Sequence, residues 1–190
     1  MKCLLCESFS LLHICSTCQE IFLTPSLSKR TIQNIEVISF YKYQDIKNLL
    51  HTKHTDLGYY IYTILAKNSF TKFAQEFNFT QKLQAIAIDD KSDENYSHTA
   101  ILNKALKSKY IKPQYNILRA KNSVSYSGKN KEFRLINPRD FQLKKFKGNE
   151  VILVDDIITT GTTLNEAITV MKLSKKEVLF CLTLADAELK

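Results

Sequence analysis

The segment Val151-Ile-Leu-Val-Asp155-Asp156-Ile-Ile-Thr159-Thr160-Gly161-Thr162-Thr163 contains the pattern that decides the fold. Its first four residues are apolar and mostly β-branched, which is typical of a strand buried on both faces of a parallel sheet. Two adjacent carboxylates follow this strand, and a threonine-rich turn then leads into an amphipathic helix that begins near Thr163. Ligands of parallel α/β sheets bind at the carboxyl ends of strands, so we expect both acids at the mouth of a crevice.

The turn after the two acids is chemically suited to an anion. It offers backbone N–H groups, threonine hydroxyls and a helix N-terminus, and Gly161 permits close approach or a positive φ angle. Asp155 and Asp156 cannot bind phosphate directly, but they can hold sugar hydroxyls or the water shell of Mg²⁺. The alternative interpretation is an ordinary helix N-cap, which needs only one such residue. The pattern therefore favours a phosphate site.

The remainder of the chain alternates between strand-like and helix-like patterns. Alternation of this kind predicts a parallel α/β sheet flanked by helices. Residues 129–135 are predicted as loop or a short helix. The other predicted strands cover residues 35–41, 83–88, 115–118 and 178–184, and the other predicted helices cover residues 57–66 and 99–107.

Four of the five cysteines form two closely spaced pairs, Cys3-x₂-Cys6 and Cys15-x₂-Cys18. Two such pairs supply the four thiolates of a closed tetrahedral Zn²⁺ site, which is our interpretation. Two disulfides or an iron–sulfur centre are the alternatives. The fifth cysteine, Cys181, lies in an apolar strand and is predicted to be a small core residue.

This change in cysteine content predicts two units. Residues 1–28 would form a zinc-finger module that ends in a linker at residues 24–28, and residues 29–190 would form the larger α/β domain. No apolar run approaches the roughly 20 residues that span a bilayer, and the first residues lack the pattern of a secretory signal. We therefore expect a cytoplasmic protein with reduced cysteines.

Positive charge is concentrated in one region of the chain. The net charge is +8, and residues 104–147 contain thirteen Lys or Arg against two acids. Such a region indicates a polyanionic partner, or else a lysine-rich solvated surface. Tyr110, Tyr115 and Tyr126 lie within it and could either stack on unpaired bases or belong to the core.

The thirteen-residue segment resembles the phosphoribosyl-diphosphate motif of type I phosphoribosyltransferases. This resemblance implies that Asp155 and Asp156 hold the ribose 2′- and 3′-hydroxyls and are the candidate catalytic residues, with Mg²⁺ accompanying the diphosphate. Thr162 stands where many members have a second glycine. The residues expected to hold the 5′-phosphate are Thr159, Thr160, Gly161, Thr162 and Thr163.

A four-cysteine segment in front of a phosphoribosyltransferase-type domain resembles the ComF-type family of competence proteins, which serve natural transformation. This resemblance covers nearly the whole chain. Residues 125–137 fit that family's Q-x-G…R-x-x-N segment, with Tyr126 in place of glutamine. In the R-G-F-N-Q element, Tyr96 keeps the aromatic character and Glu94 replaces the arginine. Arg134 and Asn137 are candidates to face the ligand.

The resemblance implies an accessory protein that binds phosphoribosyl diphosphate and handles single-stranded DNA. Its partner would be the ATP-driven DNA translocase at the cytoplasmic face of the inner membrane. The alternative is an active phosphoribosyltransferase with an unidentified acceptor. Lys53 and His54 are candidate diphosphate contacts, although their segment could equally be an exposed loop.

Overall fold

A computed structural model describes residues 1–89, 96–122, 133 and 136–188. Its described part contains one seven-stranded sheet with the order β1-β2-β7-β6-β3-β4-β5. The strands are β1 (Ser28–Ile32), β2 (Ile35–Lys42), β3 (Leu83–Ile88), β4 (Ile111–Ala120), β5 (Phe141–Leu143), β6 (Glu150–Ile158) and β7 (Glu177–Asp186).

The five inner strands of the sheet are parallel, and both edge strands are antiparallel to their neighbours. The parallel core confirms the fold predicted from the alternating pattern. The edge strands β1 and β5 were not predicted. Strand β1 joins β2 through a hairpin whose two turn residues, Gln33 and Asn34, have φ angles of 49° and 66°, which is typical of a tight hairpin turn.

Helices cover both faces of the sheet. Helix α6 packs on one face against alternate residues of β6 such as Val151 and Leu153, and most other helices pack on the opposite face around Ile152 and Val154. None of the helices in the described ranges is long and apolar enough to cross a membrane. The helices are α1 (Ser16–Phe22), α2 (Tyr43–Leu50), α3 (Asp56–Ala66), α4 (Lys72–Glu76), α5 (His98–Ala105) and α6 (Thr162–Leu173).

Two short irregular helices complete the connections. A 3₁₀ helix at His51–His54 follows α2, and a π-helical turn at Lys67–Thr71 joins α3 to α4. The predicted helices at residues 57–66 and 99–107 are confirmed with small shifts of their ends, whereas α1, α2 and α4 were not predicted.

Strand β6 is longer than its apolar run. We predicted a strand that ends at Val154, but β6 continues through both acids to Ile158 because β7 pairs with it along this stretch. Asp155 and Asp156 are therefore buried, with 9% and 8% of their surface exposed. They lie inside the carboxyl half of a central strand rather than beyond its exposed end.

The amino-terminal segment packs onto the larger unit. Ile14 and Leu23 are completely buried and belong to the same apolar cluster as the helices α2 to α5. The Tyr41 hydroxyl donates to the Leu23 carbonyl over 2.9 Å, and within the predicted linker the Ser26 N–H donates to the Phe40 carbonyl. The division of the chain at residue 28 stays a prediction, but the two parts share one core.

Candidate functional site

The candidate site is built around the adjacent acids of β6. The Asp155 Oδ1 atom accepts a hydrogen bond from the Asp156 N–H, and the Asp156 Oδ1 atom accepts one from the Ile157 N–H, both over 2.8 Å. Each carboxylate thus has one oxygen held by the backbone, and its second oxygen is the one that other groups can reach.

The second oxygen of Asp156 has two nitrogen partners. Lys53 Nζ lies 3.1 Å and His98 Nε2 lies 3.3 Å from Asp156 Oδ2. Lys53 comes from the 3₁₀ helix after α2, and His98 is the first residue of α5. The structure therefore brings one of the predicted diphosphate candidates to the acids. The side chain of His54, the other candidate, lies outside the described part of the chain.

Sequence reasoning gave His98 no role. It directly follows Ser97, whose hydroxyl accepts the Ala100 N–H over 3.1 Å and caps α5. The position of His98 in the sheet topology could have identified it. It stands at the start of the helix that follows β3, and β3 lies beside β6 in the sheet. Polar residues after neighbouring parallel strands meet at the same edge.

The two acids differ sharply in their electrostatic environment. Burial, followed by the negative charge of Asp156, raises the pKa of Asp155 well above its usual range. Burial also acts to raise the pKa of Asp156, but the charges of Lys53 and His98 outweigh it and hold this pKa well below its usual range. Asp156 is consequently the ionised member of the pair, and the attraction of its carboxylate raises the pKa of Lys53.

Two tyrosines surround this cluster. The Tyr96 hydroxyl donates to the Lys53 carbonyl over 2.7 Å, and Gly58 gives it room, because a Cβ at that position would collide with this hydroxyl. Tyr62 is completely buried, and its ring centroid lies 5.5 Å from that of His98. Among the described residues, the Tyr62 hydroxyl has no hydrogen-bond partner.

The threonine-rich turn leads directly into α6. Gly161 caps this helix with a φ angle of 75°, which confirms the expected need for glycine. A Cβ at Gly161 would also collide with the Ile32 side chain of β1. The Thr160 and Thr162 hydroxyls lie 2.9 Å apart and share a hydrogen bond.

Arg30 of β1 anchors the start of the same turn, a role that sequence reasoning missed. It donates to the Thr159 carbonyl over 2.8 Å and to Asp186 Oδ1 over 3.1 Å. The Asp186 side chain is fully buried at the end of β7, whereas Glu188, which also pairs with Arg30, is exposed. The edge hairpin therefore supports the turn through both Arg30 and Ile32.

The four amino-terminal cysteines form one cluster. All four Sγ atoms lie within 4.8 Å of one another, and those of Cys6 and Cys15 are 3.8 Å apart. A zinc tetrahedron with Zn–S bonds of about 2.3 Å has sulfur–sulfur edges of about 3.8 Å, whereas a disulfide needs about 2.05 Å. The geometry therefore fits a single ion between Cys3, Cys6, Cys15 and Cys18.

The thiols of this cluster also differ electrostatically. Burial raises the pKa of Cys3, but the N–H groups of Cys15, Cys6 and Leu5 outweigh it and bring this pKa to about 6. Burial and the neighbouring sulfurs raise the pKa of Cys18. A cation among the four sulfurs would stabilise every thiolate at once, so the donor set suits a metal ion.

The remaining predicted residues contribute less to the described site. The Asn137 amide donates to the Phe133 carbonyl over 2.9 Å. Cys181 is completely buried, as predicted for a core residue, and burial, followed by the charge of Asp155, raises its pKa to about 12. The predictions for Glu94, Tyr126 and Arg134 fall outside the described residues.

Comparison with known proteins identifies the family that the carboxyl-terminal half resembles. The model of the phosphoribosyl transferase domain family matches residues 100–188, which include both acids and the threonine-rich turn. No curated protein sequence matches the chain. Together with the parallel sheet and its helices, the family match gives the chain a type I phosphoribosyltransferase-like α/β fold.

Several solved phosphoribosyltransferase structures align with the chain at low identity. A hypoxanthine phosphoribosyltransferase from Staphylococcus aureus is 19% identical over 66% of this chain, with a TM-score of 0.39, and the chain spans only 62% of its length. An adenine phosphoribosyltransferase is 15% identical over 88% of each chain, with a TM-score of 0.41. An orotate phosphoribosyltransferase from Aeropyrum pernix is 16% identical over 90% of this chain and 80% of its own, with a TM-score of 0.41.

The contrast between the two acids predicts opposite effects of removing each charge. Asp156→Asn should lower the free energy of unfolding by about 1.5–3 kcal/mol at pH 7.5, because Lys53 and His98 lose the charge that they face. Asp155→Asn keeps an oxygen acceptor for the Asp156 N–H and replaces a carboxyl group whose ionisation the buried site disfavours, so stability should be unchanged or higher. Urea unfolding followed by circular dichroism measures both changes.

The pH dependence checks the same electrostatic contrast. Because folding lowers the pKa of Asp156, its contribution is present above the unfolded pKa of about 3.9 and is lost as the pH falls towards the folded value. The stability difference between wild type and Asp156→Asn should therefore shrink below about pH 4. Equal destabilisation by the two variants at pH 7.5 would contradict the assigned charge states.

Proposed function

We propose that this protein binds phosphoribosyl diphosphate at the acids of β6 and the turn that follows them. We further propose that it acts as an accessory protein in natural transformation, where it takes up or handles single-stranded DNA in the cytoplasm. The observation that supports ligand binding is the combination of two buried carboxylates, two nitrogen donors and a helix N-terminus at one end of the sheet. The carboxylates suit the ribose hydroxyls, the nitrogen donors suit the diphosphate, and the helix N-terminus suits the 5′-phosphate.

The 5′-phosphate would lie on the turn. The first N–H groups of a helix have no acceptor within the helix, and the positive end of the α6 dipole favours an anion there. The hydroxyls of Thr159, Thr160, Thr162 and Thr163, and the close approach that Gly161 allows, complete the proposed cradle.

The ribose and the diphosphate would lie beside the acids. The 2′- and 3′-hydroxyls would donate to Asp155 and Asp156, and Lys53 would face the diphosphate. Mg²⁺ would accompany the diphosphate and reduce its charge, with the two carboxylates reaching its water shell.

An active transferase is the second candidate function, and the donors beside Asp156 favour it. Phosphoribosyl transfer breaks the bond between C1 of the ribose and the diphosphate, and the leaving group takes the electron pair. Lys53 and His98 could stabilise the charge that develops on that group, while Asp155 and Asp156 would hold the ribose in position. The acceptor is unidentified.

Calorimetric titration with phosphoribosyl diphosphate and Mg²⁺ tests the binding proposal. Wild-type protein should bind, and both Asp155→Ala and Asp156→Ala should weaken binding because each removes a hydrogen-bond acceptor for the ribose. The loss should be roughly 1.5–3 kcal/mol for Asp156, whose hydrogen bond is charged, and smaller for Asp155. A matched control is Asp45→Ala, which changes an exposed acid in the first turn of α2. Absence of binding at millimolar ligand, or equal affinity of the Asp155/Asp156 double variant, would refute the assignment.

We also propose that Cys3, Cys6, Cys15 and Cys18 hold one structural Zn²⁺. The cluster is continuous with the main core, because Cys3 and Cys18 belong to the same apolar cluster as Leu23 and Tyr41. A metal here would therefore stabilise more than the first twenty residues.

Elemental analysis of purified protein should find about one zinc per chain. Removal of the metal by a chelator should lower the midpoint of the whole unfolding transition, because the cysteine segment shares its core with the α/β domain. Cys181→Ser is the control, since it alters a cysteine outside the cluster and should leave the zinc content unchanged. A protein that contains no zinc and reacts freely with alkylating reagents at all four thiols would exclude the site.

The proposed DNA function is supported by the basic region at residues 104–147. Lys144, Lys145 and Lys147 are exposed and lie at or just after the edge strand β5. Part of the charge in this region is balanced locally, because Lys121 pairs with Asp140 over 3.2 Å and Arg139 lies 3.6 Å from Asp89. Lys144, Lys145 and Lys147 are exposed, lie close together in the chain and are therefore candidates for phosphate contacts.

Fluorescence anisotropy with a labelled single-stranded oligonucleotide tests this surface. The affinity should fall steeply with salt, with a log–log slope of about −0.7 per phosphate contacted. Replacement of Lys144, Lys145 and Lys147 by glutamate should reduce DNA binding and leave phosphoribosyl-diphosphate binding intact.

A control variant distinguishes the effect of the location of the lysines from the effect of the net charge of the protein. Replacement of the exposed Lys47, Lys67 and Lys72 by glutamate changes the net charge equally but lies outside the basic region, so it should retain more DNA affinity. A flat salt response, or an equal loss in both variants, would mean that the basic region is only a solvated surface. The proposed partnership with an ATP-driven DNA translocase would then lack this support.

A further inference from the structure

Asp156 is fully engaged before any ligand arrives. One of its oxygens accepts the Ile157 N–H, and the other lies within 3.3 Å of both Lys53 Nζ and His98 Nε2. A ribose hydroxyl that approaches this carboxylate has to compete with the two nitrogen donors. A ligand that offers these donors a better acceptor would remove this competition.

We propose that His98, together with Lys53, recognises the diphosphate, and that both donors move from Asp156 to the diphosphate as the ligand binds. This inference rests on the proposed function and assigns a role to a residue outside the motif that suggested it. His98 is then a specificity-determining residue, because a sugar phosphate without the diphosphate cannot draw the two donors away from Asp156.

The position of His98 suits this role. It is the first residue of α5, where the Ser97 cap and the neighbouring Tyr62 ring hold it in place. Its side chain is 32% exposed and that of Lys53 is 26% exposed, whereas that of Asp156 is only 12% exposed. The donors are therefore more accessible to an incoming anion than the carboxylate that they currently contact.

The chemistry of the two donors also suits a diphosphate. An ammonium group has three N–H donors and an imidazole has one or two, so contacts to several phosphate oxygens are within their capacity. Both atoms already lie close to one oxygen, so both can reach one small anionic group. His98 thus supplies a nitrogen donor next to Asp156 from the start of the helix that follows β3.

The movement of Lys53 and His98 from Asp156 to the diphosphate couples binding of the diphosphate to binding of the ribose. Once the donors contact the diphosphate, the Asp156 carboxylate is released to accept the ribose hydroxyls. The buried carboxylate thus keeps hydrogen-bond partners before and after binding, as buried charged groups require. Ribose 5-phosphate supplies the hydroxyls but not the competing anion, so it should bind much more weakly.

Calorimetric titration of His98→Asn with two ligands tests the inference. Phosphoribosyl diphosphate with Mg²⁺ should bind to this variant at least about tenfold more weakly than to wild type, which is the size of one charge-assisted hydrogen bond. The affinity for ribose 5-phosphate with Mg²⁺ should stay the same or rise, because Asp156 has one competitor fewer. The readout is the ratio of the affinities for phosphoribosyl diphosphate and ribose 5-phosphate. A general loss of structure would weaken both ligands and would not lower this ratio selectively.

Two further variants serve as controls. His51→Asn makes the same substitution at an exposed histidine that contacts the Tyr43 hydroxyl, and it should leave both affinities unchanged. His98→Lys keeps a nitrogen donor and should retain most of the preference for phosphoribosyl diphosphate over ribose 5-phosphate. His98→Gln carries the test if His98→Asn does not fold, as judged by its thermal unfolding transition.

The outcomes separate this inference from the proposed function. If wild type binds phosphoribosyl diphosphate and His98→Asn binds it equally well, the role of His98 is wrong while the proposed function stands. If His98→Asn weakens both ligands to the same degree, His98 acts only through the shape of the site, and the inference is again overturned. If wild type binds neither ligand, the proposed function fails and this inference fails with it.

Discussion

The burial of two adjacent carboxylates in a central strand is the constraint on which the site depends. Like charges at neighbouring positions in a low-dielectric interior cannot both be ionised without compensation. The structure resolves this conflict by giving Asp156 the nitrogen donors of Lys53 and His98, while burial and the charge of Asp156 disfavour ionisation of Asp155.

The sheet order is what makes this compensation possible. Strand β6 lies between β7 and β3, so the helix that follows β3 starts near the carboxyl half of β6. The 3₁₀ helix that carries Lys53 approaches from the same side, and the Tyr96 hydroxyl ties its backbone to the segment before α5. Elements far apart in the chain thus supply one carboxylate with its partners. At the same carboxyl end of β6, Arg30 and Ile32 of the edge hairpin hold the turn that precedes α6.

Sequence reasoning succeeded where the physical signal was local. The short apolar segment of β3 indicated a strand, and the unbroken apolar run at the start of β6 indicated a strand buried on both faces. The cysteine spacing indicated four ligands that do converge. It failed where a strand or a side chain depends on contacts with another segment rather than on its own sequence pattern. Strand β1 contains polar residues and forms because β2 pairs with it, and β6 continues past Val154 because β7 lies alongside. Arg30 and His98 were missed for the same reason, since their partners are 156 and 58 positions away in the sequence.

A crystal structure with bound phosphoribosyl diphosphate and Mg²⁺ tests the central claim most directly. We expect the 5′-phosphate on the turn at residues 159–163 and the ribose hydroxyls within hydrogen-bond distance of Asp155 and Asp156. Lys53 Nζ and His98 Nε2 should then contact diphosphate oxygens and no longer share Asp156 Oδ2. A ligand bound elsewhere, or one bound here while both donors remain on Asp156, would contradict the account.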